Sequence, residues 1–150
     1  MPTDSNTPKT IVLSGADVHV VSEEKLAGGA ITPGHLVGRN ASNAVVVHAS
    51  AGGNAEKMFA LEDALQGNTI DDAYASGDRV SLAICSPGTV VYAYLAVGES
   101  CDPSDFLTSN GDGTLKVATS TDARIAVPEE TLDNSETADT AAARLKVRVI

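Results

Sequence analysis

From Gly77 onward, glycine, proline and asparagine cut the chain into short apolar runs, a spacing that points to strands. Asp78-Arg79 leads into Val80-Ser81-Leu82-Ala83-Ile84, and Ser86-Pro87-Gly88 turns the chain. Thr89 to Ala96 (TVVYAYLA) gives the strongest strand signal. Its period of two puts Tyr92 and Tyr94 on one face and Val91, Ala93 and Leu95 on the other. Phe106-Leu107-Thr108 and Thr114-Leu115-Lys116-Val117 enclose Ser109-Asn110-Gly111-Asp112-Gly113, and Asn-Gly between apolar runs predicts a hairpin. Arg124 to Val127 forms a further strand, stopped by Pro128. Arg144-Leu145-Lys146-Val147-Arg148-Val149-Ile150 alternates strictly, basic out and apolar in. That predicts a C-terminal strand pinned in a sheet.

The first half is less regular. Thr10 to Leu13 is short and β-branched, and Asp17-Val18-His19-Val20-Val21 alternates polar with apolar. In GGAITPGHLVGRN, residues 28–40, Pro33 before Gly34 suits a type II turn. Ile31, Leu36 and Val37 around that turn require burial, so the stretch reads as a structural corner anchored within the subunit or against a neighbouring one. Val45-Val46-Val47 is a buried strand candidate, and Ser50 to Asn54 is a loop. Residues 55–66, AEKMFALEDALQ, support two assignments. Asn54 and Gly67 could cap a helix carrying Met58, Leu61 and Leu65, while Lys57 to Leu61 also fits a strand entering a turn.

Seven or more short strands with Gly/Pro turns and little helix predict a mainly β chain, a small β-barrel or sandwich. At 150 residues one domain is expected. Residues 1–9 are polar, contain Pro2 and Pro8, and read as a flexible extended arm ahead of a single β-rich domain at 10–150. With aromatics at 3% and no Trp, the core must come from Val, Ile, Leu and Ala.

The charge of −10, from 20 acids against 10 bases, argues against a nucleic-acid partner, where cationic side chains must replace counterions. Glu129, Glu130, Asp133, Glu136 and Asp139 read as a solvated loop. Cys85 and Cys101 form no CxxC or zinc pattern and read as two reduced thiols, with a disulfide as the alternative. No secretory signal is visible, so the Asn40-Ala41-Ser42 sequon carries no weight. Val90 to Val97 is too short for a membrane helix. The calcium-like loop at Asn110, Asp112 and Gly113 has Thr108 and Thr119 where an EF-hand needs acids. His19, His35 and His48 lack metal-ligand spacing, and Asp17 with His19 has no nucleophile motif beside it. The paired acids Asp71-Asp72 and Glu62-Asp63 lack the aromatic platforms of a carbohydrate site. The expectation is no catalysis, no cofactor and no metal.

Three segments point further: AITPGHLV (30–37), FALEDALQGNTIDDAYASGDRV (59–80) and SNGDGTLKVAT (109–119), followed by RIAV and a terminal RLKVRVI. Together they resemble tailed-bacteriophage head decoration proteins, also called capsid cement or stabilisation proteins. The resemblance spans most of residues 30–150, and the middle segment is its most specific part. It implies a β-rich homotrimer on the outer surface of the virion capsid, at or near three-fold positions. There it would bind the major capsid protein and stiffen the head against packaged DNA. It also favours a strand at 57–62 followed by one helical turn. The arm, Thr3, Asp4, Ser5, Asn6, Thr7, Pro8 and Lys9, is the expected capsid contact, and Leu36, Phe59, Tyr92 and Tyr94 are candidate trimer contacts. The competing expectations are another virion part, such as a head fibre base, tail or spike component, and a hydrolase or carbohydrate-binding module.

Overall fold

The computed structural model describes residues 7–14 and 20–150. Within them the regular structure is almost all β: β1 (Val12–Ser14), β2 (Val20–Leu26), β3 (Leu36–Arg39), β4 (Val45–Val47), β5 (Met58–Ala60), β6 (Arg79–Cys85), β7 (Val90–Leu95), β8 (Ser100–Cys101), β9 (Leu107–Ser109), β10 (Leu115–Val117), β11 (Ala126–Pro128), β12 (Leu132–Asp133) and β13 (Ala143–Val149). One 3-10 turn, Ala64–Gln66, follows β5.

Five strands close into a barrel in the order β7-β10-β9-β11-β13, with β13 returning to β7. β13 runs antiparallel to β7 from Ala143 opposite Leu95 to Arg148 opposite Val90. The ring is completed where β10 meets β7 in parallel, Leu115 beside Leu95. β1 lies along the other end of β7, Val12 beside Val91. The hairpin of β9 and β10 is the one that Asn110-Gly111 predicts. A barrel of so few strands is filled by its own side chains. Val91, Ala93, Leu95, Leu107, Leu115, Leu145, Val147 and Val149 fill this one and are fully buried.

A second sheet, β2-β6-β5-β3-β4, packs against the barrel. It curls until Ala27 bridges Val45, and the Gly28 N–H donates to the Val45 carbonyl at 2.7 Å. Its central strands are buried on both faces. Leu36, Phe59 and Ala83 join the barrel core, while Val37, Met58, Ala60 and Leu82 line a second cluster with Ile31 and Tyr74. A strand buried on both faces shows no alternation, which is why residues 55–66 are ambiguous in sequence. The structure resolves them as β5 followed by the 3-10 turn, which ends on Gly67 at φ 77°.

The 28–40 corner is anchored inside the subunit, with Ile31, Leu36 and Val37 buried. The His35 N–H closes the turn onto the Thr32 carbonyl at 3.0 Å, with Gly34 at φ 96°. Two expectations need correction. Pro128 is a buried member of β11 and does not end a strand before it. The acidic span 129–139 is partly built into the fold: β12 pairs with β8, and Asn134 is buried, its amide donating to the carbonyls of Leu95, Ala96 and Ala141. Cys85 and Cys101 are unpaired, buried thiols.

Many acids are turn-formers. Asp72, Asp78, Asp105, Asp122 and Asp139 each accept the N–H three residues upstream, and Asp102, Asp112 and Asp133 the N–H two residues downstream. The last three are Asx-turns, and the first five reach back across the bend; in both the carboxylate satisfies a backbone donor that the bend leaves free.

Candidate functional site

The outer face of β7 and β13 gathers the residues singled out above. Alternation turns Val90, Tyr92 and Tyr94 outward while their neighbours fill the barrel. Register then sets Tyr94 opposite Arg144 and Tyr92 opposite Lys146. The Arg144 guanidinium lies 4.4 Å from the Tyr94 ring centre and 5.5 Å from that of Tyr92. It donates to the Pro33 carbonyl at 3.1 Å and the Ile70 carbonyl at 2.6 Å, and approaches Asp71 Oδ1 at 3.3 Å. Its side chain is only 11% exposed. This one residue ties the TPG turn and the 61–78 connection to the barrel wall. The alternation of the last strand gives it as outward and solvated. Its burial depends on what packs over β13, which strand period does not report.

Burial raises the pKa of both Tyr92 and Tyr94, while the Arg144 charge opposes the rise, so both phenols stay neutral hydrogen-bonding groups at neutral pH. His35 packs its ring 5.4 Å from that of Tyr94, and its Nδ1 accepts the Thr32 N–H at 3.2 Å. Burial lowers its pKa, Asp112 opposes that and Arg144 adds to it. A neutral imidazole is what the Nδ1 acceptor requires.

The root of the arm reaches the same face. The Ile11 carbonyl accepts the Tyr92 N–H at 2.8 Å, and Pro8, Leu13, Val90, Glu129 and Lys146 line one shallow groove. Thr7, Pro8 and Lys9 also border a groove with Glu62, Ala64 and Asn68 to Asp71. Glu62 accepts the Ile11 N–H. So Pro8 lies on the face that carries both tyrosines, beside Val90 and Lys146. Leu36 and Phe59 do not. They sit opposite one another on β3 and β5 and are fully buried in the subunit core. Neither has surface to offer a neighbour, and as trimer contacts they are corrected. Thr3, Asp4, Ser5, Asn6, Asp17 and His19 lie outside the described residues.

His48 ties two loops together from inside the fold. It is buried, with Nδ1 2.7 Å from Ser109 Oγ and Nε2 2.9 Å from the Asn54 carbonyl. Nε2 must therefore donate, and Nδ1 accepts from the serine hydroxyl, which itself accepts the Gly111 N–H. The Asn110, Asp112 and Gly113 loop uses its polar groups internally: Asp112 accepts both the N–H and the hydroxyl of Thr114. Among the described residues no three His, Cys, Asp or Glu side chains are grouped to hold a metal. None of the described helices is long and apolar enough to cross a membrane. What the face offers is shape, two tyrosines, an apolar groove and paired charges. Those are means of binding a protein surface.

No family model and no curated protein sequence matches the chain. The fold is similar to a solved structure, the head fibre gp8.5 N base of bacteriophage phi29. The TM-score is 0.57 at 11% identity, over 87% of this chain and 94% of that one.

Proposed function

We propose that this chain is a structural part of a tailed-phage head. In this reading it is a homotrimer on the outer capsid surface, at or near three-fold positions, that stiffens the shell against packaged DNA. Its partners are the major capsid protein and its own copies. It transforms no substrate and binds neither nucleic acid nor membrane. The observation that carries the reading is the fold held in common with a phage head fibre base, joined to the segment resemblance to head decoration proteins. The outer face of β7 and β13 supports it. Tyrosines and arginine are the residue types that anchor protein interfaces. Three weak grips on one lattice site raise apparent affinity by ~10²–10⁴, and binding only the assembled lattice stabilises that lattice by mass action.

The fold comparison favours a second reading, the base of a head fibre, in which the same domain seats a longer appendage on the shell. Both readings place the protein outside the head. Electron microscopy of particles separates them: density at every equivalent three-fold site marks a decoration protein, and density only beneath fibres marks a base. Light scattering and binding to undecorated heads test the proposal as a whole. The full chain should have the mass of a trimer and bind heads. A chain lacking residues 1–9 should remain a folded trimer that no longer binds. A monomer that ignores undecorated heads would overturn both readings.

A further inference from the structure

The loop between β9 and β10 carries the chain's single Asn-Gly pair, Asn110-Gly111. Asparagine is chemically labile, and most so before glycine, which has no Cβ to keep its nitrogen off the neighbouring side chain. The reaction needs only water. The Gly111 nitrogen gives up its proton and bonds to Asn110 Cγ. The Cγ–Nδ2 bond breaks and ammonia leaves, closing a succinimide ring. Water then opens either ring carbonyl, giving aspartate or isoaspartate, and the second adds a methylene to the main chain. The fold obliges the chain to keep this pair. Gly111 has φ 91°, and an added Cβ would lie 3.2 Å from the Ala51 nitrogen and 3.3 Å from Ala51 Cβ. Any side chain there would be strained in both respects. Asn110 is partly exposed, so water reaches it.

What the structure controls is the attacking nitrogen. The Gly111 N–H donates to Ser109 Oγ at 3.1 Å. Ser109 is fully buried, and its Oγ lies 2.7 Å from His48 Nδ1. His48 is fixed at its other end, where Nε2 donates to the Asn54 carbonyl at 2.9 Å. The serine proton therefore points at Nδ1, and the Oγ lone pairs face Gly111. The nitrogen must lose its proton before it attacks, and that proton is held against an acceptor that is itself locked. The backbone around the pair is tied as well. The Asn110 N–H donates to the Thr114 carbonyl at 2.9 Å, the Gly52 N–H to the Ser109 carbonyl at 2.9 Å and the Leu36 N–H to the Gly113 carbonyl at 2.8 Å. An extra methylene here would act on the pairing of Ser109 with Leu115, and Leu115 is the residue that meets Leu95 to complete the barrel.

We propose that Asn110 is a latent deamidation site, kept silent because the His48–Ser109 relay holds the Gly111 N–H. Modification then follows the fraction of time the loop spends open. This stands apart from the functional reading, and the failure of either leaves the other intact. The test incubates the full chain at pH 8 and follows aspartate and isoaspartate at Asn110 by peptide mapping and mass spectrometry. Asn110 in the folded parent should react at least about tenfold more slowly than in the parent held in urea. Ser109→Ala removes the acceptor, and its folded form should react at least about threefold faster than the folded parent. Equal rates for folded and unfolded parent overturn the silent site. A Ser109→Ala rate equal to the parent's overturns the relay. Should that variant fail to fold, hydrogen exchange on the parent decides. A Gly111 amide at least about tenfold slower than in the unfolded chain upholds the relay, and one that exchanges as fast as in the unfolded chain overturns it.

Discussion

Replacing Arg144 with alanine tests the barrel's connection to the rest of the chain. Two carbonyls, Pro33 at 3.1 Å and Ile70 at 2.6 Å, lose a charged donor. Each such bond contributes about 1.5–3 kcal/mol. The stacking on Tyr94 at 4.4 Å adds about 0.5–2 kcal/mol. The Asp71 pair adds little, because Asp71 is 78% exposed. The upper sum overstates the loss, since water enters the space and resolvates the carbonyls, so about 3 kcal/mol is expected. At ~2–4 °C per kcal/mol for a chain of this size, the midpoint should fall ~6–12 °C. Thermal and urea melts at one fixed protein concentration measure it, because self-association shifts apparent stability by mass action. Arg144→Lys keeps the charge and stem but not the planar fork that reaches two carbonyls, and should restore less than half of the loss. A loss below about 1 kcal/mol for the alanine variant would refute the account of Arg144 as the tie between these elements.

Acid should loosen the turns. Hydrogen bonds from Ser104, Thr119 and Ser135 hold Asp102, Asp122 and Asp133 below the ordinary 3.8; for Asp112 burial pushes upward, but the Thr114 bonds carry it below as well. With folded values below the unfolded one, this stability is present above about pH 5 and lost as pH falls through the folded values. Melting temperature from pH 7 to 2.5 should drop most steeply below about pH 4, and a flat profile there would contradict the turn assignment. Gly34→Ala should cost about 1–3 kcal/mol, because φ is 96° and the added Cβ would meet Arg144 Nη1 at 2.7 Å and the Tyr92 carbonyl at 2.8 Å. Equal denaturation midpoints for parent and variant would show that the corner is not under that constraint. Burial pushes the Cys85 thiol up to about 12 and that of Cys101 up to about 11. Both should therefore resist a thiol-disulfide reagent at pH 8 until denaturant is added, and rapid labelling of the native protein would contradict their burial.

Residue order alone determined the elements that rest on local chemistry. The two faces of β7, the hairpin around Asn110-Gly111, the TPG turn and the inward Leu145, Val147 and Val149 all follow from a period of two and from turn preferences that act over a few residues. Partnership between distant segments was decided only by the tertiary structure. Leu36 and Phe59 read as apolar and available, and became core because sheet and barrel close over them. Arg144 read as solvated, and was buried by the Pro33 turn and by Ile70, which lie 111 and 74 residues away along the chain. β2, rich in Glu and Lys, gave no strong strand signal because its order comes from pairing with β6. Alternation states which side of a strand is apolar. Which strand lies beside it, in what register and under what cover, depends on packing that no short stretch of sequence encodes.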